Sequence, residues 1–314
     1  MPQEELPTSP SRLPTVLITG AFSGLGRAFF QHYVGLSDKT CDGDDAFNVI
    51  GIDRHPWTDE EGSTHNSHPH GRRSVYVQLD VTSPADELEA FARRRVGEET
   101  PIYLVIHCAG VRGLVPGVEV RKSGDVATAE TLEAMDAATM LRTFEVNVIG
   151  TFNILTAILP NLRLAAQKSL NTRVVVLSSR MGSVAANDKG GGYAYRASKA
   201  ALNAVVKSMS IDVPDVFFAL VHPGRVETGL VSVKEDGAFS SILAWYGQLP
   251  FEHAQASTIL KSSRDTTAGQ LSERSLKRLF GPLYTALLMC PSNISASSSR
   301  ETGHMKTRPQ YRSL

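Results

Sequence analysis

Six short apolar runs, separated by helical patterns, constrain the fold of this chain more than any other feature of its sequence. The runs are rich in Val, Ile and Leu and do not alternate between polar and apolar residues, as in "TVLITG" and "RVVVLSS". Strands that are apolar throughout are buried on both faces, which is typical of a parallel sheet covered by helices. The runs lie at residues 15–20, 47–53, 74–81, 102–110, 173–179 and 216–224.

Helical patterns fill the intervals between these runs. They cover Leu25–Val34, Ala85–Val96, Ala129–Pro160 (divided into two helices) and Tyr195–Ile211. Strands that alternate with helices predict one α/β domain with a doubly wound parallel sheet, the Rossmann fold. We expect flexible tails at 1–11 and 292–314, a domain over 12–291, and a substrate loop or lid at about 229–280 within it.

Composition excludes several classes of protein. Lys plus Arg and Asp plus Glu both number 32 in 314 residues, so no global charge favours nucleic acid or an anionic membrane. The polar amino terminus resembles no secretory signal, and the apolar run at 280–291 is too short to span a bilayer core of about 30 Å. Three scattered cysteines without a CxxC pair indicate neither disulfides nor a zinc site. We therefore expect a cytoplasmic protein without a metal, and its oligomeric state, including a homo-oligomer, stays open.

The segment "TGAFSGLG" lies between the first predicted strand and the first predicted helix. Its glycines, Gly20, Gly24 and Gly26, would let the backbone turn tightly and approach a pyrophosphate at the amino terminus of the helix. Glycines alone are weak evidence, but their place between a strand and a helix predicts a dinucleotide site.

Asp53 ends the second predicted strand, where a carboxylate can accept hydrogen bonds from the adenosine ribose and repel a 2′-phosphate. Ser23, inside the glycine loop, is not a base that would bind that phosphate. Arg54 opposes this interpretation, because an arginine beside the ribose can offset the acid. On balance the residues favour NAD and leave NADP as the second choice.

The stretch "GGGYAYRASKAAL" (190–202) contains two tyrosines and a lysine. On a helix, Tyr195 and Lys199 share a face because they are four residues apart, whereas Tyr193 and Lys199 do not. A neighbouring ammonium favours the phenolate form of a tyrosine, which suits an acid/base. By itself this spacing is common on solvated helices.

Further motifs follow in the order and approximate spacing of one known family. They are "LDVT" with Asp80, "HCAG" at 107–110, "VNVIG" with Asn147, "VVVLSSRMGS" with Ser179, "YRASK" with Tyr195 and Lys199, and "HPGRVET" at 222–228. With these motifs, residues 15–228 resemble the short-chain dehydrogenase/reductase family. The wording of "SSRMGS" and "GGGYAYRASKAALN" most resembles its carbonyl-reductase and C-factor-like branch.

The resemblance implies a catalytic role for four residues. Tyr195 would exchange a proton with the reacting oxygen, and Lys199 would lower the pKa of that tyrosine and reach the nicotinamide ribose. Ser179, rather than Ser178, would hydrogen-bond the substrate oxygen, and Asn147 would hold a water in a proton relay. The residues implied to contact the coenzyme are Gly20, Ser23, Gly24, Leu25, Gly26, Asp53, Asp80, Cys108, Ala109, Gly110, Tyr195, Lys199, Pro223, Gly224, Val226 and Thr228.

The chain departs from the family pattern in three places. His107 and Cys108 replace the usual asparagines, which we expect to loosen contacts between strands near the coenzyme, with Cys108 as a small core residue. The carboxyl-terminal end lacks the usual closing strand motif. Residues 229–291 would form the substrate side, where aromatic residues either build an apolar lid or pack that segment onto the sheet: Phe239, Trp245, Tyr246 and Phe251.

Two functions from different classes are consistent with these residues. The first is an NAD(P)-dependent oxidoreductase that interconverts a small-molecule carbonyl and an alcohol by hydride transfer. The second is a catalytically silent dinucleotide sensor or scaffold of the same fold, for which the joint presence of Ser179, Tyr195 and Lys199 would be unexplained. A sugar-nucleotide epimerase is disfavoured, because its glycine spacing differs from that of "TGAFSGLG".

Four histidines lie in the polar insertion at 54–73, but Gly, Pro, Ser and Asn surround them and no helix or hairpin pattern would organise metal ligands. We therefore predict that replacing His65, His68 and His70 together with Ala leaves turnover and metal content unchanged. Elemental analysis and a coenzyme-linked assay of the triple variant would check this. Loss of a stoichiometric metal would show that the insertion is a binding site.

Overall fold

The computed structural model describes residues 13–39, 46–57, 73–118 and 126–223, and in these ranges all six predicted strands form one sheet. Each strand ends at or before the end of its apolar run, so the last residues of most runs form the loops that follow. The strands are β1 Thr15–Thr19, β2 Asn48–Asp53, β3 Ser74–Gln78, β4 Ile102–His107, β5 Arg173–Leu177 and β6 Phe217–Val221.

Helices occupy each interval in which they were predicted. They are α1 Gly24–Lys39, α2 Ala85–Phe91 continued by a π-helical turn Ala92–Gly97, α3 Ala137–Phe144, a π-helical turn Glu145–Gly150, α4 Thr151–Ala157, α5 Leu159–Gln167 and α6 Tyr193–Asp212. Short 3-10 turns lie at Val126–Glu130 and Arg180–Gly182.

The predicted helix pair at Ala129–Pro160 has different bounds in the structure. Its first regular helix starts only at Ala137, because Asp136 is the N-cap and accepts a hydrogen bond of 2.6 Å from the Thr139 amide. The second helix does not stop at Pro160, since this proline lies in the first turn of α5, where no amide hydrogen is needed.

All strands pair in parallel, in the order β3-β2-β1-β4-β5-β6. The order reverses between β1 and β4, so the helices that follow these two strands cover opposite faces of the sheet, and the carboxyl ends of the two strands border the crevice of the fold. Open α/β sheets bind ligands at such a switch point. The topology therefore confirms the doubly wound fold and locates the candidate site.

Two apolar clusters cover the two faces of the sheet. One contains side chains of α2, α4, α5 and α6, including Leu88, Ile154, Leu162 and Leu202. The other is built on α1 and contains Phe30 and Val34 together with Val16 and Ile18 of β1. Each face is thus buried, as the uninterrupted apolar runs predict.

No single helix in the described ranges is long and apolar enough to cross a membrane, and one bent pair, Ala137–Ala157 with Leu159–Gln167, meets that test by length and composition only. Its residues Ile154 and Leu162 are fully buried in the core. The domain bounds, the tails, the closing strand, the substrate segment and most of the histidine insertion (58–72) lie outside the described residues and stay predictions.

Gly51 of β2 is where helix α1 packs most closely on the sheet. A Cβ at this position would lie 2.7 Å from two ring carbons of Phe30. That ring is 1% exposed and has Trp57 and Tyr76 as edge-on neighbours, so it has little room to move. The missing side chain therefore permits the contact between α1 and the sheet.

We predict that Gly51→Ala lowers the free energy of unfolding by about 1–3 kcal/mol, because the added methyl group overpacks a rigid contact. The matched control is Gly35→Ala in α1, where a Cβ would meet nothing within 4 Å. This control should raise stability by up to about 1 kcal/mol through helix propensity. Urea unfolding of both variants measures the difference, and equal effects would contradict the packing argument.

Candidate active site

The glycine loop after β1 adopts the close approach that its sequence predicts. Gly20 has φ +68°, and a Cβ there would lie 2.8 Å from the Ala109 amide nitrogen of the loop after β4. A Cβ on Gly26 would lie 2.0 Å from the Gly20 carbonyl oxygen. A side chain at Gly20 would therefore push apart the loops after β1 and β4, and one at Gly26 would push the start of α1 away from the loop after β1.

Gly24, Leu25 and Gly26 form the first turn of α1, and exposed Ser23 directly precedes it. The amide hydrogens of a first helical turn have no partner within the helix, and the helix dipole favours an anion there. The loop is thus shaped as a cradle for a phosphate group.

Asp53 lies beside the glycine loop at the end of β2. One carboxylate oxygen accepts a hydrogen bond of 3.2 Å from the Phe22 amide. The other accepts bonds of 3.0 Å from the amide and the ring Nδ1 of His55. The carboxylate is therefore held at the edge of the crevice, whereas the neighbouring Arg54 is exposed.

Asp80, in the turn after β3, accepts hydrogen bonds of 2.9 Å from the amide and the hydroxyl of Thr82. These bonds fix its carboxylate at the same edge of the sheet. Its expected contact with adenine stays a prediction.

His107 joins strands and does not loosen them, which corrects our expectation from the sequence. Its Nδ1 lies 2.9 Å from the Thr19 hydroxyl of β1, and its Nε2 lies 2.9 Å from the Thr151 hydroxyl of α4. Since Thr151 donates its one proton to the Asn147 carbonyl at 2.9 Å, it accepts from Nε2. Thr19 then donates to Nδ1, and we assign this tautomer from the network.

Burial lowers the pKa of His107 to about 3, with a smaller contribution from the charge of Lys199. The neutral imidazole is the form that the two threonine bonds require. The Thr19 hydroxyl oxygen also accepts the amide hydrogens of Cys108 and Ala109, each at 3.2 Å. Cys108 therefore belongs to the loop that follows β4, not to the strand, and it is half-buried.

Asn147 lies in the π-helical turn between α3 and α4 and is fully buried. Its side chain bonds both ways with Val111, accepting from the amide at 2.8 Å and donating to the carbonyl at 2.9 Å. It also donates to the Ser198 hydroxyl at 3.0 Å, and Ser198 donates to the Tyr195 carbonyl at 2.9 Å. Asn147 thus connects the loop after β4 with helix α6.

The two serines after β5 have different partners. The Ser178 hydroxyl donates to the Asn203 side chain at 2.6 Å. The Ser179 hydroxyl accepts from the Met181 amide at 3.1 Å. Ser179 also acts on the Tyr195 phenol and favours a lower pKa of that group. Its predicted contact with the substrate oxygen stays a prediction.

Helix α6 buries Tyr195 and Lys199 together, at 7% and 5% exposure, whereas Tyr193 is 37% exposed. The Lys199 ammonium donates to the Leu177 carbonyl at 2.9 Å and lies 5.7 Å from the centroid of the Tyr195 ring. Gly110 borders the same group, since a Cβ there would lie 3.7 Å from the Lys199 nitrogen. The two residues therefore share the face predicted from their spacing.

Burial dominates the electrostatics of this pair. It lowers the pKa of Lys199 to about 8, because a buried ammonium loses its hydration. Burial also raises the pKa of Tyr195, and the Arg112 guanidinium and the Ser179 hydrogen bond only partly oppose this. The net direction is opposite to the expected depression by Lys199.

The sequence motifs did not predict two residues of the site, Arg112 and Glu130. Arg112 follows the "HCAG" loop by two positions, and its guanidinium lies 4.7 Å from the centroid of the Tyr195 ring. Glu130 ends a short 3-10 turn and forms a salt bridge with Arg112. A charged residue soon after an apolar strand is a sequence feature that could have pointed to Arg112 as a site residue. No sequence feature of this kind marks Glu130.

The remaining coenzyme candidates are only partly described. Pro223 follows β6, whereas Gly224, Val226 and Thr228 lie outside the described residues. Within the described ranges, no group of His, Cys, Asp and Glu side chains is arranged to hold a metal ion.

Comparison with known proteins agrees with this architecture. The short chain dehydrogenase family model matches residues 14–238. The C-signal protein of Myxococcus xanthus is 45% identical over 132 residues, which are 41% of this chain and 69% of that protein. Short chain dehydrogenase gsfK of Penicillium aethiopicum is 30% identical over 222 residues, 69% of this chain and 77% of that protein.

Solved structures show the same fold. The NADPH-bound carbonyl reductase from chicken fatty liver is 26% identical with a TM-score of 0.53, and the match covers 72% of this chain and 84% of that one. The carbonyl reductase Sniffer of D. melanogaster is 22% identical with a TM-score of 0.53, and the match covers 70% of this chain and 84% of that one.

Proposed function

The chain belongs to the short-chain dehydrogenase family, and from this premise we propose that it is an NAD(P)-dependent enzyme that interconverts a carbonyl and an alcohol, with Tyr195 as acid/base. The general class of oxidoreductase follows from the family and its relatives. One observation carries the finer proposal: Tyr195 is buried with Lys199 on one face of α6, with the Lys199 nitrogen 5.7 Å from the centroid of its ring. The proposed substrate is a small molecule, and the cytoplasm stays our predicted location.

The crevice residues fit a dinucleotide. Gly20 and Gly26 let the loop after β1 pack against the loop after β4 and against α1, and the first turn of α1 would present its amide hydrogens to a pyrophosphate. Asp53 would accept hydrogen bonds from the adenosine ribose, and Lys199 would contact the nicotinamide ribose. When it is bound, the nicotinamide coenzyme supplies the hydride donor or acceptor.

The raised pKa of Tyr195 keeps its phenol protonated near neutral pH, so this residue is prepared to donate a proton to a carbonyl oxygen. Ser179, which acts on the same phenol, would stabilise charge that develops on the substrate oxygen. Lys199 has a pKa of about 8 and is mostly charged at neutral pH, which assists return of the proton. Asn147 holds the Ser198 hydroxyl and, through it, the Tyr195 backbone. The proposal that Asn147 also holds a water in a proton relay rests on the family resemblance.

We propose that NAD(H) binds more tightly than NADP(H), because the fixed Asp53 carboxylate would repel a 2′-phosphate. Asp53→Ala should narrow the difference in affinity between the two coenzymes by removing that repulsion. The exposed residue Asp215 offers the control, since it precedes β6 at the amino-terminal edge of the parallel sheet and Asp215→Ala removes the same charge at the edge opposite the crevice. Fluorescence titration measures the affinities of both coenzymes for all three proteins, and tighter binding of NADP(H) to the native chain would mean that Arg54 overrides Asp53.

We predict that Tyr195→Phe reduces turnover by at least about 10²–10⁴-fold, the usual range for a general acid or base, while coenzyme affinity stays nearly unchanged. Lys199→Ala should be equally damaging and should also weaken coenzyme binding. Tyr193→Phe is the control, because its exposed ring should affect substrate preference at most.

A screen of aldehydes, ketones and secondary alcohols with each coenzyme, followed by absorbance of the reduced nicotinamide, would first identify an active substrate. Normal turnover in Tyr195→Phe together with an inactive Tyr193→Phe would overturn the assignment. Tight coenzyme binding without turnover on any compound would instead support the silent sensor or scaffold.

A further inference from the structure

Arg112 and Glu130 form a largely buried ion pair against the candidate acid/base. Their side chains are 17% and 7% exposed, and two parallel hydrogen bonds join them, with Arg112 Nη2 2.9 Å from Glu130 Oε2. The guanidinium carbon lies 4.7 Å from the centroid of the Tyr195 ring. The cation is thus placed over the face of the aromatic ring, where the ring quadrupole attracts it.

A buried ion pair is by itself weak evidence of a contribution to fold stability. Removing two charges from water costs several kcal/mol in general, and well-packed apolar residues often stabilise a core equally well. A bidentate arginine–carboxylate pair instead fixes the plane of the guanidinium. The pair therefore acts as a rigid cationic surface on one side of the Tyr195 ring.

Glu130 also holds the helix that carries the tyrosine. Its backbone carbonyl accepts a hydrogen bond of 3.0 Å from the amide of Gly192, the residue that precedes α6. The same residue thus anchors the start of α6 through its backbone and orients Arg112 through its side chain. This double contact fixes the position of Tyr195 relative to the guanidinium.

Lys199, the other cation near the tyrosine, is placed differently. Its nitrogen is 5.7 Å from the ring centroid, against 4.7 Å for Arg112, and it donates to a backbone carbonyl of β5. An arginine also keeps its charge throughout the pH range of a protein, whereas a buried lysine loses its proton more readily. Arg112 is therefore the cation closer to the ring centroid and the one whose charge is more permanent.

We propose that Arg112 is a positioning residue for the reaction: it holds the Tyr195 ring face-on and stabilises the phenolate, while Glu130 limits how strongly it does so. This inference rests on the proposed role of Tyr195 as acid/base. The groups of the described residues that act on the phenol are Arg112 and Ser179, which favour the phenolate, Glu130, which opposes it, and Lys199 on the same helix.

The test titrates Tyr195 itself in the full-length chain, without coenzyme or substrate. Tyrosines labelled with ¹³C at Cζ are followed by NMR against pH, and the Tyr195 resonance is identified by its loss in Tyr195→Phe. Arg112→Met should raise the titration midpoint by about one pH unit, because a cation near the ring is removed. Glu130→Gln should lower it, because the opposing anion is removed while Arg112 stays.

Two further variants separate charge from shape. Arg112→Lys keeps the charge without the planar fork and should restore part of the native midpoint. Arg196→Met is the matched control, since Arg196 lies next to Tyr195 in α6 but donates to the Gly191 carbonyl. Its midpoint should equal that of the native chain. If Arg112→Met does not fold, Glu130→Gln and Arg112→Lys still carry the test.

If the ion pair had only a structural role, Arg112→Met and Glu130→Gln would shift the Tyr195 titration midpoint in the same direction or leave it unchanged. The proposal is overturned if the Tyr195 midpoint in Glu130→Gln is not below that of the native chain. It is also overturned if Tyr195 titrates in neither of these two proteins while they are folded. On an active substrate, alcohol oxidation by Arg112→Met at neutral pH should fall about tenfold and recover at higher pH. Full turnover in Tyr195→Phe would refute the proposed function instead, whatever the titrations show.

Discussion

A buried chain of hydrogen bonds through His107 is the interaction on which the rest of the site depends. It runs from Thr19 of β1, through the imidazole, to Thr151 of α4 and on to the Asn147 carbonyl. Every polar group along it has a partner, which is the condition under which a buried polar network rigidifies a core. Because these bonds run from β1 through β4 to α4 and the turn that carries Asn147, both halves of the crevice are held by one set of bonds.

Two loops are aligned by this network. Thr19 receives the amides of Cys108 and Ala109, and a glycine at position 20 lets the loop after β4 lie against the loop after β1. The loop then continues to Val111, whose backbone amide and carbonyl form two hydrogen bonds with the Asn147 side chain. Arg112 comes next along the chain, so the position of its guanidinium over Tyr195 depends on the same alignment.

Charge at the site is governed by burial more than by any single neighbour. The same desolvation lowers the pKa of Lys199 to about 8 and raises that of Tyr195. The two shifts move the pKa values of phenol and ammonium apart, because the ordinary values of 10.0 for tyrosine and 10.5 for lysine are close together. The phenol therefore holds its proton more tightly than the ammonium, which suits a proton donor. The two members of the Arg112–Glu130 ion pair then act on the pKa of Tyr195 in opposite directions: Arg112 lowers it and Glu130 raises it.

The sequence by itself determined the strands, the helices, the parallel doubly wound sheet and the pairing of Tyr195 with Lys199. These follow from local information: apolar runs report burial on both faces, and a spacing of four residues reports a shared helical face. Tertiary structure alone decided the roles of His107, Arg112 and Glu130, whose partners are distant in sequence, such as His107 with Thr19. Long-range contacts of this kind leave no periodic signal, because the chain brings such residues together only when the sheet and its helices pack.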